Sequence, residues 1–109
     1  MIEKVKLVES TEDFLWRGNI LSLPAKYPYE DFVDFMVFET KDRDRPYGLI
    51  VTSGYKAGLV LVHLPAESSA LGRGIDRVWI VSNWNTWIYP DCDVSCVYLI
   101  DRYRSACLF

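Results

Sequence analysis

Apolar and polar residues alternate with a period of two along much of the chain, the pattern of β-strands that bury one face. From Glu3 to Val8, Val5 and Leu7 alternate with Lys4 and Lys6, which predicts a strand. Ser10-Thr11-Glu12-Asp13 predicts a turn, or a short helical turn capped by Ser10 or Thr11. A second strand is predicted over Phe14 to Leu23, with Leu15, Arg17, Asn19, Leu21 and Leu23 on one side and Trp16, Ile20 and Ser22 on the other. Gly18 inside it signals a bulge or a close backbone approach, and Pro24 ends it. Lys26 to Asp31 is a loop, because Pro28 restricts Tyr27 to extended conformations. Phe32 to Glu39 is rich in aromatic and β-branched residues and predicts a buried strand. A charged loop, Lys41 to Pro46, joins it to a strand over Tyr47 to Thr52, and a glycine-bracketed turn, Ser53 to Gly58, leads to one over Leu59 to Leu64. These three strands form an antiparallel meander.

Pro65 to Gly74 is a connection, with small residues in its middle and glycines at its end. In Ile75 to Ile88, the residues Ile80, Trp84, Trp87 and Ile88 share one face of a helix, with Arg77 and Val81 beside them. The length favours a helix, although the same residues also read as a β run around an Asn turn. Pro90 stops this element, and Val94 to Arg102 supplies a last strand. The expectation is an α+β domain over residues 1–109, mainly an antiparallel sheet of about six strands with a central meander and one helix.

Composition narrows the class. A chain of 109 residues, half of them apolar and a quarter charged, should bury roughly two thirds of its unfolded surface and fold unaided. No apolar run approaches the roughly 20 residues that span a bilayer. The opening Met1 to Lys6 mixes charged and apolar residues, unlike a signal peptide, so a cytoplasmic location is expected. Twelve basic and fifteen acidic residues give a net charge of −3, which disfavours a phosphate backbone as partner and suits a basic protein surface. Cys92, Cys96 and Cys107 are an odd set near the C-terminus, not a disulfide framework, and fit a reducing compartment. Four Trp, seven Tyr and five Phe are unusual in so short a chain; most must serve the core, but Tyr and Trp in excess also suit a contact surface.

The search for catalytic chemistry yields no constellation. Metal binding is not expected, since Cys92 and Cys96 lack a second close ligand pair and the only histidine, His63, lies far away in a strand. Nucleophilic catalysis would need that same histidine, and no glycine-flanked serine elbow is present. The carboxylates Glu30, Asp31, Asp34, Glu39, Asp42 and Asp44 show no spacing that separates a catalytic pair from solvated edges. Gly72-Arg73-Gly74 and the Gly54 to Gly58 turn lack the rest of a phosphate-binding loop. Tyr47, Tyr55 and Trp79 could stack bases, but Arg43, Arg45 and Lys56 are too few and too mixed with acids to track a nucleic acid. No enzyme, cofactor, nucleic acid or membrane is therefore expected.

Four local patterns stand out in combination: Trp16-Arg17-Gly18-Asn19, Tyr29-Glu30-Asp31-Phe32-Val33-Asp34-Phe35, Gly54-Tyr55-Lys56-Ala57-Gly58 and Asn83-Trp84-Asn85-Thr86-Trp87-Ile88-Tyr89-Pro90. Together they resemble the immunity protein 45 family, small bacterial immunity proteins encoded beside polymorphic or contact-dependent growth inhibition toxins. The resemblance runs from about residue 7 to residue 102. It implies a non-catalytic inhibitor that binds the toxic C-terminal domain of a cognate effector, commonly a nuclease. Trp16, Gly18, Gly54 and Gly58 read as packing and turn positions of the fold. An acidic binder would gain association rate and orientation against a basic nuclease. The surface expected to do this comprises Tyr27, Tyr29, Glu30, Asp31 and Asp34, with Asp42 and Asp44 on the hairpin loop. The latter loop reads equally well as a solvated hairpin end. A monomer or weak homodimer is expected. The alternatives are a small enzyme or ligand-binding domain with a site around His63, and a self-assembling module.

Overall fold

The computed structural model describes residues 4–69 and 74–103. Glu3, the Gly72-Arg73 pair and Cys107 lie outside the described residues. The fold is α+β. Its main sheet is wholly antiparallel, with strands β1 (Lys4–Lys6), β3 (Ile20–Pro24), β4 (Phe32–Glu39), β5 (Tyr47–Val51), β6 (Val60–His63) and β8 (Tyr98–Ile100) in the order β1-β8-β3-β4-β5-β6. A second, two-stranded sheet pairs β2 (Phe14–Leu15) with β7 (Ile75–Asp76). Two short helices, α1 (Arg77–Ser82) and α2 (Trp84–Trp87), follow β7.

The expected meander is present and longer by one strand, because β3 also pairs with β4 across the Ala25 to Asp31 loop. Its alternation sets the core. Val33, Phe35 and Val37 of β4 are buried and lie in register with Leu23 and Leu21 of β3 and with Val51 and Leu49 of β5. Ile80, Trp84, Ile88 and Tyr89 join them in one cluster, so the helical segment packs on this face. Trp84 is fully buried, and its indole Nε1 donates to the Cys92 carbonyl at 3.0 Å.

Three sequence expectations are corrected. The run Phe14 to Leu23 is two strands in different sheets, separated by a turn at Trp16 to Asn19. Asn19 holds that turn: its Oδ1 accepts the Trp16 N–H at 2.8 Å, and its own N–H donates to the Trp16 carbonyl at 2.9 Å. Gly18 serves through its positive φ of 91°, since nothing lies within 4 Å of where a Cβ would stand. The segment Ile75 to Ile88 is not one helix. Ile75 and Asp76 are spent on pairing with β2, Asp76 caps α1 by accepting the Val78 N–H at 3.0 Å, and Asn83 breaks the helix. The Asn83 side chain donates to the Trp79 carbonyl at 2.8 Å, the local competition for backbone partners that makes Asn a helix terminator. The face Ile80, Trp84 and Ile88 nevertheless stays buried across the break. The terminal strands are also shorter than expected. Leu7–Glu9 and Val94–Cys96 are 3-10 turns, packed together through the Leu7 N–H and the Val97 carbonyl at 2.9 Å.

The other face of the sheet carries Ser22, Asp34, Met36, Ile50, Tyr98 and Ile100. After β8 the chain turns back across it. The Asn19 Nδ2 donates to the Asp101 carbonyl at 2.7 Å, and the Tyr103 hydroxyl donates to Asp34 Oδ2 at 2.8 Å, with Thr52 Oγ1 2.7 Å away. Ile20, on the intervening strand β3, is fully buried. Among the described residues no helix is long and apolar enough to cross a membrane.

Candidate functional site

The strand directions divide the connections between two ends of the sheet. The Ala25 to Asp31 loop and the Thr52 to Leu59 turn lie at one end, and the Thr40 to Pro46 loop lies at the other. The two ends are roughly 25 Å apart, the span of the eight-residue β4 at about 3.3 Å per residue.

The Ala25 to Asp31 loop is firmly held. The Ala25 N–H donates to the Asp31 carbonyl at 2.8 Å, the Tyr29 N–H to the Lys26 carbonyl at 2.9 Å, and the Lys26 N–H to the Tyr89 hydroxyl at 3.1 Å. The Tyr29 ring meets Phe35 and Tyr89 edge-on at 6.0 and 5.8 Å. Burial, together with the neighbouring Tyr89, pushes the Tyr29 phenol above its ordinary range. Tyr29 is thus an anchor of the loop. Tyr27 is the side chain the loop presents, at 92% exposure.

Glu30 and Asp31 are exposed beside it, and Glu30 lies against Gly54 of the neighbouring turn, where its carboxylate would meet any Cβ. Gly54 and Gly58 have positive φ, 70° and 96°, and the turn they bracket holds Tyr55 at 88% exposure. Phe32, first in β4, is 67% exposed. The Tyr89 to Cys96 segment borders the same loop, with Asp91, Cys92, Asp93 and Cys96 facing Pro24 to Lys26 across a shallow depression. Burial and the nearby Cys96 push the Cys92 thiol up, whereas Cys96 is exposed. Segments 25–34, 52–60 and 89–96 together hold five carboxylates and two lysines, an imbalance equal to the net charge of the whole chain.

Of the seven residues expected from sequence, Tyr27, Glu30 and Asp31 come together on an exposed loop. Tyr29 faces inward, and the Asp34 carboxylate accepts the Tyr103 hydroxyl. Asp42 and Asp44 sit at the opposite end, where Asp42 Oδ1 accepts the Asp44 N–H at 2.9 Å in a loop that also carries Lys41, Arg43 and Arg45. Sequence reasoning missed Phe32, Tyr55, Asp91 and Asp93 as members of this surface. The signal for Tyr55 was there to find, since a large aromatic between turn glycines has little to pack against.

His63 is exposed on β6, at the end of the sheet away from Cys92 and Cys96, with its ring edge-on to Phe38 at 5.5 Å. The Tyr47, Tyr55 and Trp79 platform is not assembled. Tyr47 is buried and its hydroxyl accepts the Gly74 N–H at 3.0 Å, while Trp79 packs against Trp87 at 6.1 Å. Among the described residues no three His, Cys, Asp or Glu side chains are grouped to hold a metal ion. Trp16, read from its motif as a packing or turn position, opens the turn to Asn19 and packs against Phe14 while remaining 48% exposed.

Neither the curated proteins nor the solved structures contain a match to this chain. The family model described as Immunity protein 45 matches residues 7–99, which includes most of the sheet, both helices and all four of the sequence patterns noted at the outset. The chain therefore belongs to the immunity protein 45 family.

Proposed function

We propose that this protein neutralises the C-terminal toxic domain of a cognate contact-dependent or polymorphic toxin, a nuclease, by binding it without catalysis. Membership of an immunity protein family supports a toxin protein as partner. One observation supports the place of contact: Tyr27 and Tyr55, the two most exposed large hydrophobic residues described, stand at the end of the sheet where the carboxylates outnumber the lysines. Exposed aromatic anchors within a charged rim match the usual anatomy of an interface hot spot. Because the loop under Tyr27 is already ordered by backbone bonds and the Tyr29 packing, little entropy remains to be lost on binding.

In this reading Tyr27, Phe32 and Tyr55 contact the toxin, Glu30, Asp31, Asp91 and Asp93 face its basic surface, and Tyr29 and Asp34 hold the scaffold. The nuclease would be stopped because an acidic surface occupies the positive groove that its substrate requires. The test is a reconstitution of nuclease activity with the toxin domain encoded beside this chain. Inhibition at one equivalent by the wild type, lost on reversing Glu30 and Asp31 to lysine, supports the reading. Full inhibition by that variant places the contact elsewhere.

A further inference from the structure

A second concave surface lies away from the Tyr27 loop, beside the edge strand β1 and its neighbour β8. It is a cleft of about 490 Å³. Its floor is Asn19, almost fully buried, with both amide groups engaged by the Trp16 N–H and the Asp101 carbonyl. Phe14 and Trp16 form an aromatic wall, their ring centroids 5.9 Å apart. Gly74 lies close to the Trp16 ring, since a Cβ there would come within 3.2 Å of its Cε3. The carboxylates of Glu9, Glu12 and Asp101 are exposed at the rim, and among the described residues none that lines the cleft is basic. Among the described residues neither Glu9 nor Glu12 is in an ion pair, and Asp101 pairs only with the adjacent, exposed Arg102. Arg77 comes near, and its Nε and Nη1 donate to the Glu12 and Leu7 carbonyls at 2.7 and 3.5 Å, which directs its side chain to the backbone and not to the rim carboxylates.

We propose that this cleft is a docking site for an arginine side chain of a protein partner. A half-exposed indole in a concavity is costly to leave in water and offers a face to a cation. The carboxylates around it favour positive charge and repel phosphate, so a nucleotide base is not the occupant. They are not grouped for a single metal ion. A guanidinium answers both features at once, because it is planar, stacks on an aromatic face and spreads five N–H donors over separated acceptors. The ammonium of lysine does only part of this. The Asn19 bonds fix the relation between the Trp16 wall and the Asp101 rim before any ligand arrives. The residues are distinct from those of the Tyr27 surface, and the assignment stands or falls without it.

The probe is arginine blocked at both termini, titrated into the isotope-labelled protein, with the Trp16 indole N–H resonance assigned through Trp16→Phe. A saturable shift at Trp16 and Asn19 is expected, with a dissociation constant of about 1–10 mM for so small a ligand. Blocked lysine should bind several-fold more weakly, and blocked citrulline, which has the shape without the charge, should not saturate. The triple variant Glu9→Gln, Glu12→Gln, Asp101→Asn should lose about tenfold in affinity. Citrulline equal to arginine, or no shift at Trp16, overturns the proposal. Free arginine binding as tightly as the blocked form overturns the choice of a protein side chain as occupant. Should the triple variant fail to fold, the arginine and citrulline comparison on the unaltered chain still decides the matter.

Discussion

Tyr27 and Tyr29 are two positions apart and have opposite fates, because Tyr29 finds Phe35 and Tyr89 while Tyr27 finds only solvent. Their substitutions should therefore separate binding from stability. Tyr27→Ala is expected to leave the unfolding midpoint unchanged in denaturant melts and to weaken the toxin complex by about 2 kcal/mol. Tyr29→Ala should cost about 2–3 kcal/mol of folding stability by removing a half-buried ring from an aromatic cluster. The same contrast holds for the thiols. Cys92 is buried with its ionisation pushed up, and Cys96 is exposed. Alkylation at neutral pH, followed by peptide mass mapping, should modify Cys96 well before Cys92. Equal rates would contradict the burial of Cys92.

At the scale of elements, the return of the chain across the sheet is testable through Tyr103. Burial, and the Asp34 carboxylate that accepts its hydrogen bond, push its phenol from the ordinary 10 up to about 12. The protonated phenol is the form the fold favours. Its contribution to stability is therefore complete below pH 10 and is lost as pH rises through about 12. Tyr103→Phe should be slightly less stable at neutral pH and should lack that part of the alkaline loss, as read from melts across the range. The meander was legible in sequence because each of its strands is a short apolar run bounded by Pro, Gly or charged turns. The break inside Phe14 to Leu23 was not, since the turn is secured by Asn19, whose side chain reaches Asp101, 82 positions later. The helix break at Asn83 was half visible, as the Asn turn of the rival reading. Of the proposed binding surface, the exposed loop holding Tyr27, Glu30 and Asp31 was legible as a loop from its proline and charges. The inward packing of Tyr29 and the bond that engages Asp34 were not legible, because their partners, Tyr89 and Tyr103, come from distant parts of the chain.

Over the whole molecule, charge is distributed unevenly. The end bearing Tyr27 and Tyr55 is acidic, whereas the Lys41 to Arg45 loop at the other end holds three cations and two carboxylates. A basic toxin should approach the first end and avoid the second. Its association rate should fall steeply as salt is added, and reversing Asp42 and Asp44 to lysine should leave the affinity unchanged, and the rate too at about 0.15 M salt or above, where screening hides the distant loop. Stopped-flow mixing at several ionic strengths checks both. The central claim is that a toxin is held at the aromatic, acidic end of the sheet. Calorimetric titration of the cognate toxin domain with wild type and with the Tyr27→Ala, Tyr55→Ala double variant tests it most directly. The account predicts a one-to-one complex that the double variant weakens by at least about 100-fold, with its melting behaviour unaltered. A double variant that binds as tightly as the wild type would contradict it.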